Sequence, residues 1–287
     1  MKRASVIQKE TEQISTVEDL TGVFESIAST QVAKIKNKVQ LSKEFFDLIW
    51  QRYSTIRIDP NSRITRRSTL KTNGRKVFVA ISSEVGLSGD IDQRLAETMV
   101  HDYDPSTTDV IVLGSHGASQ LRQLGVHYLR YFKVPPTEGY VDVSPIIKAI
   151  SPYDKITVYY EEYVSLGVQG IKSMDLYSSI QAMSANSPQS DETITDKDTI
   201  FEPSLDAIAG VMEDAMLTLA FSQAILESNL AQDASRFNAM AVAKKRAWEI
   251  ENYYKLDFHR AKRSESDRRL REILISIKRK KQSRQPK

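Results

Sequence analysis

No cysteine occurs in the 287 residues. That removes a disulfide framework, a thiol nucleophile and every cysteine-ligated zinc site. Histidine is nearly as scarce: His101, His116, His127 and His259 are the four, and none stands in the HExxH spacing that places two imidazoles on one helix face. Neither a metal centre nor a bound cofactor is expected. No window approaches the roughly 18 uninterrupted apolar residues of a membrane-crossing helix. The opening MKRASVIQKETEQ has no apolar core of the secretory kind, so a cytoplasmic setting is expected. Proline and glycine are withheld from both ends. Residues 3–56 contain Gly22 and no proline, and between Pro203 and Pro286 the only glycine is Gly210.

What is present divides the chain in three. Hydrophobic residues make up 40% and charged residues 27%, the balance of a folded domain rather than a disordered one. Along the first segment Ile7, Ile14, Val17, Thr21, Phe24, Ala28 and Ile35 recur at helical spacing close to a heptad, with polar Glu10, Gln31 and Lys38 at matching positions. A helix of about 50 residues runs about 75 Å, too long for the surface helix of a small domain. The stretch IDPNSRITRRSTLKTNGRK then reads as a turn-rich link. In the middle segment, strand-like runs at 77–81, 109–113 and 155–160 alternate with helical patterns at 93–103, 118–124 and 144–150. That alternation predicts a small, mostly parallel α/β unit. The polar MSANSPQSDETITDKDT at its end reads as a flexible loop. The last segment predicts a second helix of about 75 residues, about 110 Å, entered through Pro203 with Ser204 as its cap. The expected fold is therefore α/β, with an antiparallel coiled coil of long N- and C-terminal helices (1–58 and 203–287) flanking a small central Rossmann-like domain at 59–202.

Charge is uneven. From Arg260 to Lys287 there are 12 Lys plus Arg against 3 Asp plus Glu, a net +9. Since the whole chain carries +3, the remainder carries −6. The basic end points to an acidic protein surface or to nucleic acid. No aromatic residue lies between Arg260 and Lys287, so Arg268, Arg269, Arg271 and Lys278–Lys281 lack a base-stacking platform, and a protein partner is preferred.

The middle segment holds the tempting chemistry. VFVAISSEVGLSGDIDQ, 77–93, is a strand breaking into a glycine-bearing turn, yet it has neither G-x-G-x-x-G nor a Walker pattern. Glu84, Asp90 and Asp92 would repel phosphate unless a metal intervened, and are expected as solvated loop acids. Gly114-Ser115-His116-Gly117 follows a strand, but adjacent side chains in a turn rarely face each other and GxSxG is absent. A turn with glycines at positive φ is expected there. Tyr159, Tyr160 and Tyr163 beside Glu161 and Glu162 fit either a binding patch or a half-buried strand end.

Helix, α/β unit and helix together resemble the gamma subunit of rotary ATP synthases. VIQKETEQISTVEDLTGVFESIASTQVAKIKNKV runs without a gap against that family's opening helix, with Leu20-Thr21-Gly22-Val23-Phe24-Glu25 in place of Ile-Thr-Lys-Ala-Met-Glu. Gly86, Leu87 and Gly89 match the Gly-Leu-Cys-Gly turn, with Ser88 for the cysteine; Gly114–Gly117 match a Gly-x-Lys-Gly turn. Tyr160, Tyr163 and Gln169 match a Tyr-x-x-Phe and a following Gln. FEPS and Gln223, Ala224, Leu226, Glu227, Ser228, Arg236, Ala239 and Met240 match the final helix. The resemblance implies a divergent, bacterial-type, non-catalytic central-stalk rotor that couples ion flow to ATP synthesis or hydrolysis. Its partners would be the alpha and beta subunits, an epsilon-type subunit and the membrane c-ring, with no nucleic acid, at the cytoplasmic face of the plasma membrane. Phe24, Glu25, Lys262 and Arg263 would meet the catalytic hexamer; Tyr160, Tyr163 and Gln169 would meet the ring or the epsilon-type subunit. The family's Ile-Thr-x-Glu near the end is replaced by Ser266-Asp267-Arg268-Arg269, which puts that contact's chemistry in question. The competing readings are an α/β enzyme and a basic-tailed coiled-coil scaffold or nucleic-acid-binding protein.

Overall fold

Fifty-three residues without proline, Ala4–Ile56, form one helix, α1. The structure, a computed structural model, describes residues 3–56, 73–136, 141–176 and 205–282. Of the expected link at 58–76 only 73–76 is described, and the polar loop at 183–199 and the cap at Pro203-Ser204 lie outside the described residues. The remaining elements are β1 (Lys76–Ile81), α2 (Ile91–Asp102), β2 (Thr108–Leu113), α3 (Ser115–Gln123), β3 (Arg130–Phe132), α4 (Ser144–Ile150), β4 (Lys155–Tyr163), β5 (Gln169–Asp175) and α5 (Leu205–Gln282).

The inner face of α1 follows a strict heptad. Ile7, Ile14, Thr21, Ala28, Ile35, Ser42 and Ile49 make one row, and Ala4, Thr11, Glu18, Glu25, Val32, Val39 and Phe46 make the other, every one buried or half-buried. Val17 and Phe24, expected on the seam, are exposed at 46% and 39%. A seven-residue row has neighbours at both i+3 and i+4, and the opposing surface decides which is covered. Here it is the i+4 row, so Glu10, Gln31 and Lys38 flank the seam instead of lining it.

Two compact units are formed, residues 1–26 with 239–287, and 27–238. In the first, the start of α1 runs antiparallel to the later part of α5. The Ala4 amide donates to Glu265 at 3.1 Å and Lys244 to Glu25 at 3.1 Å; twenty-one residues further along α1 is met twenty-one residues earlier along α5. Ala4, Ile7 and Ala261 form a small buried cluster under Tyr254 and Phe258. Beyond Ala261, the residues of α5 through Lys278 are exposed on every side.

The second unit is built on a five-stranded sheet of order β3-β2-β1-β4-β5, parallel except for β5. The predicted strands at 77–81, 109–113 and 155–160 are β1, β2 and β4. β3 and the edge strand β5 are additions. Central β1 is buried on both faces, which is why it reads as the continuous apolar run VFVAI. Phe78, Ala80, Val110 and Val112 pack against Leu95, Met99 and Leu121 from α2 and α3. Val77, Val79, Ile81, Ile111 and Val158 pack with Val32–Phe46 of α1, α4, and Met216–Ala234 of α5. That stretch of α5 is buried nearly all round, with Ala220, Ala224, Ala231 and Ala234 permitting close approach. Each large core side chain such as Phe221 or Ile225 contributes up to about 1.5–3 kcal/mol by burial. At the other end of the sheet Asp109 accepts from Arg75 at 2.7 Å and Tyr153 at 2.9 Å. These bonds hold its carboxyl below the usual carboxylate range, Arg75 first.

Candidate partner-facing sites and the polar junction under the β1 turn

β1 ends at Ile81 on the carboxyl edge of a parallel sheet, where open α/β folds commonly bind ligands. The chain then makes a turn with Leu87 at φ 70° and Gly89 at φ 71°, and α2 begins at Ile91. An anion site at such a turn needs amide hydrogens aimed at solvent. Here the carboxylate of Asp92, wholly buried, takes the Ser83 amide at 2.8 Å. Its other oxygen accepts from the Ser88 hydroxyl at 2.8 Å and meets His116 Nδ1 at 3.0 Å. Carbonyls of the turn point instead to α5: Arg236 donates to Val85 at 3.0 Å and Gly86 at 3.3 Å, and Ser235 to Ser88 at 2.6 Å. Arg236 is itself paired with Asp233. The turn is a joint between sheet and helix.

Two sequence expectations are thereby corrected. Asp92 is buried, and half-buried Glu84 accepts from Tyr131 at 2.9 Å and from the Val134 amide; only Asp90 is a solvated loop acid. Gly114–Gly117 is the start of α3 rather than a free turn. Gly114 alone takes positive φ, 93°, while helical Gly117 leaves room for the Ser82 side chain, whose hydroxyl accepts its amide at 3.1 Å. Ser115 donates to the Glu84 carbonyl at 2.9 Å, while His116 is held by Asp92. The serine and histidine therefore serve different partners, and nucleophilic catalysis has no relay here.

Beside this joint lies a group that sequence reasoning missed. Glu161 on β4 is wholly buried, one oxygen accepting from Ser228 and from Gln232 of α5, the latter at 2.9 Å. Its signal was an acid interrupting the run VYYEEY. Burial, with nearby Asp92 adding to it, pushes its carboxyl up to about 8.

The predicted contact residues fall into separate places. Phe24 and Glu25 lie on α1, Phe24 exposed and Glu25 bonded to Lys244. Lys262 and Arg263 are exposed on α5 next to the Ala4 end of α1, with Lys262 5.9 Å from the Phe258 ring. By helical rise the two pairs are about 30 Å apart. In the other unit Tyr160 is buried, its phenol raised mainly by desolvation. Tyr163 and Gln169 face each other across β4 and β5, both half-buried, and the Gln169 amide closes the hairpin onto the Ser165 and Leu166 carbonyls at 3.0 and 2.9 Å. Exposed Val164, Leu166 and Val168 surround it.

The family model described as ATP synthase matches residues 3–278, from the first turn of α1 to near the end of α5. The chain belongs to the ATP synthase gamma family. It is 23% identical over 291 residues to the ATP synthase gamma chain of Clostridium beijerinckii, covering 93% of this chain and 95% of that one. It is 26% identical over 266 residues to the mitochondrial gamma subunit of Pichia angusta, covering 90% and 92%. In fold it resembles a chain of the Euglena gracilis mitochondrial ATP synthase F1/c-ring assembly, with TM-score 0.66 at 15% identity, over 99% of this chain and 97% of that one. For a gamma-family chain, the long helices and the α/β unit are the expected parts. No helix among the described residues is long and apolar enough to cross a membrane.

Proposed function

We propose that the chain is the central-stalk rotor of a rotary ATP synthase, a non-catalytic subunit whose rotation links ion flow through a membrane ring to the cycling of a catalytic hexamer. The observation that carries this reading is the family match across 3–278, which takes in both long helices and the sheet between them. A rotor needs a stiff rod whose faces differ. The α1–α5 pairing supplies rod, and exposed Val17, Leu20, Val23, Phe24 and Ile27 on one stretch of α1 contrast with exposed Lys244, Lys245 and Arg246 on α5. Phe24 and Glu25, with Lys262 and Arg263 at the other end of the paired region, are proposed as contacts to alpha and beta subunits. Individual exposed charge pairs are worth about 0.2–1 kcal/mol, weak enough to break at each step. Tyr163 and Gln169 on the β4–β5 hairpin, backed by buried Tyr160, are proposed to face an epsilon-type subunit or the c-ring. ATP chemistry resides in the hexamer; the coupled ion is a proton or sodium, and the subunit works at the cytoplasmic face of the plasma membrane.

Tagged chain expressed in its own host is expected to bring down alpha- and beta-type ATPase subunits in an ATP-hydrolysing complex. Recovery of the chain alone would overturn the rotor reading.

A further inference from the structure

The joint between β4 and α5 contains an electrostatic problem that no hydrogen bond solves. Glu161 has no solvent exposure. Its Oε2 receives two neutral donors from α5, the Ser228 hydroxyl and the Gln232 amide, and these are bonded to each other at 3.0 Å. Its Oε1 is buried with no hydrogen-bond partner. The carboxylate of Asp92 from α2, of its own sign, adds to the penalty. Asp92 is in turn occupied by Ser83, Ser88 and, from α3, His116. From α5, Arg236 pairs with Asp233 and spends its other hydrogens on the Val85 and Gly86 carbonyls, and half-buried Glu227, beside Ser228, adds a further carboxylate that interacts with Lys172, Lys43 and Glu162. On the neighbouring strand, Lys172 of β5 pairs with Glu162 at 2.8 Å. Among the described residues, no lysine, arginine or histidine bonds to Glu161. An ionised carboxylate in that setting carries an unrelieved desolvation penalty beside a like charge.

We propose that Glu161 is a proton-binding site: it holds a proton through the neutral range and acts as an uncharged latch between β4 and α5, and loss of that proton to solvent in mildly alkaline medium loosens the latch. No other bond changes in the step. The proton leaves Glu161 for water or hydroxide, and the carboxylate left behind keeps both donors on Oε2 while Oε1 has none. The geometry agrees with the direction of its pKa, which burial raises to about 8. Because the folded value lies above that of a solvated glutamate, the folded joint binds more protons than the opened one between about pH 4.3 and 8. Its stabilisation is fully present below about pH 4.3, declines as pH rises, and is gone once pH passes the folded value.

The test is hydrogen exchange on the full-length chain, following backbone amides of 228–232 from pH 6 to 9.5 and correcting for intrinsic exchange. The opening equilibrium is expected to grow about fiftyfold between pH 6 and 8 and to level off near a hundredfold by pH 9.5. In Glu161→Gln, which keeps the shape without a titratable proton, it is expected to be flat. A flat wild-type profile, or an unchanged slope in the variant, would overturn the proposal. Should the variant fail to fold, the wild type alone decides. Glutamate-labelled protein examined by infrared spectroscopy is expected to show at pH 7 a protonated-carboxyl band that is missing from Glu161→Gln and that disappears from the wild type around pH 8; absence of that band at pH 7 refutes the assignment.

Discussion

Arg236→Ala tests whether the turn after β1 is a joint to α5. The side chains of Arg236 and Asp233 are 16% and 13% exposed, so the pair is largely desolvated. Removing one member of a fully buried pair costs about 3–5 kcal/mol, because the other charge is left uncompensated. Partial solvent access places this site at the low end, about 3 kcal/mol. The freed Val85 and Gly86 carbonyls add little, since Val85 is 63% exposed and water can replace the guanidinium. Asp233 is already raised by burial, with Arg236 pulling it back; without the arginine it rises further and takes up a proton more readily. The deficit of the variant should therefore shrink as pH falls. Combining Arg236→Ala with Asp233→Asn should recover about 1–2 kcal/mol relative to the single change. Native-state hydrogen exchange of β1 and β4 amides reads the opening of this unit directly. A cost below about 1 kcal/mol, or no recovery in the double variant, would refute the joint.

Gly114→Ala should be severe, about 3 kcal/mol or more in chemical denaturation: φ is 93° and the new Cβ would collide with the Ser82 carbonyl. Gly125→Ala, at φ 76° with open space around it, should cost only about 1 kcal/mol of backbone strain; equal costs would show that contact with Ser82 is unimportant. The Asp109 carboxyl is held below the ordinary carboxylate range in the folded chain, so its stabilisation is present above the ordinary value near pH 4 and lost as pH falls through the folded value. Melting of Asp109→Asn across pH 2–6 should show a shallower acid decline than wild type, and an identical decline would count against the Arg75–Asp109–Tyr153 link. Deleting 278–287 should leave the complex assembled, as judged by native gels; failure of assembly would give the basic tail an anchoring role.

Much of the fold was legible because it rests on local pattern. Both long helices declared themselves by the absence of proline, and β1, β2 and β4 by runs of branched apolar residues. β3 has only three residues, and edge strand β5 is half-exposed with Gly, Lys and Ser in it, so neither has a pattern strong enough to read. The companion row of the α1 heptad was misplaced because Val17 and Phe24 are more apolar than Glu18 and Glu25. Only the opposing surface, Lys244 among it, shows which row is covered. The joint was partly legible: Gly86, Gly89, Ser228 and Arg236 stand in matched family positions. The burial of Asp92 was not legible, because it depends on His116, 24 residues away, and on a helix more than a hundred residues further along the chain. Glu161 escaped for the same reason.

Rotation can be observed directly. Because the chain lacks cysteine, Lys133→Cys on the exposed surface of the α/β unit gives this subunit a single attachment point for a bead. With the purified complex immobilised through its hexamer and supplied with ATP, the bead is expected to rotate stepwise in one direction and to stop when hydrolysis is inhibited. A bead that stays fixed while the same complexes hydrolyse ATP would contradict the rotor reading.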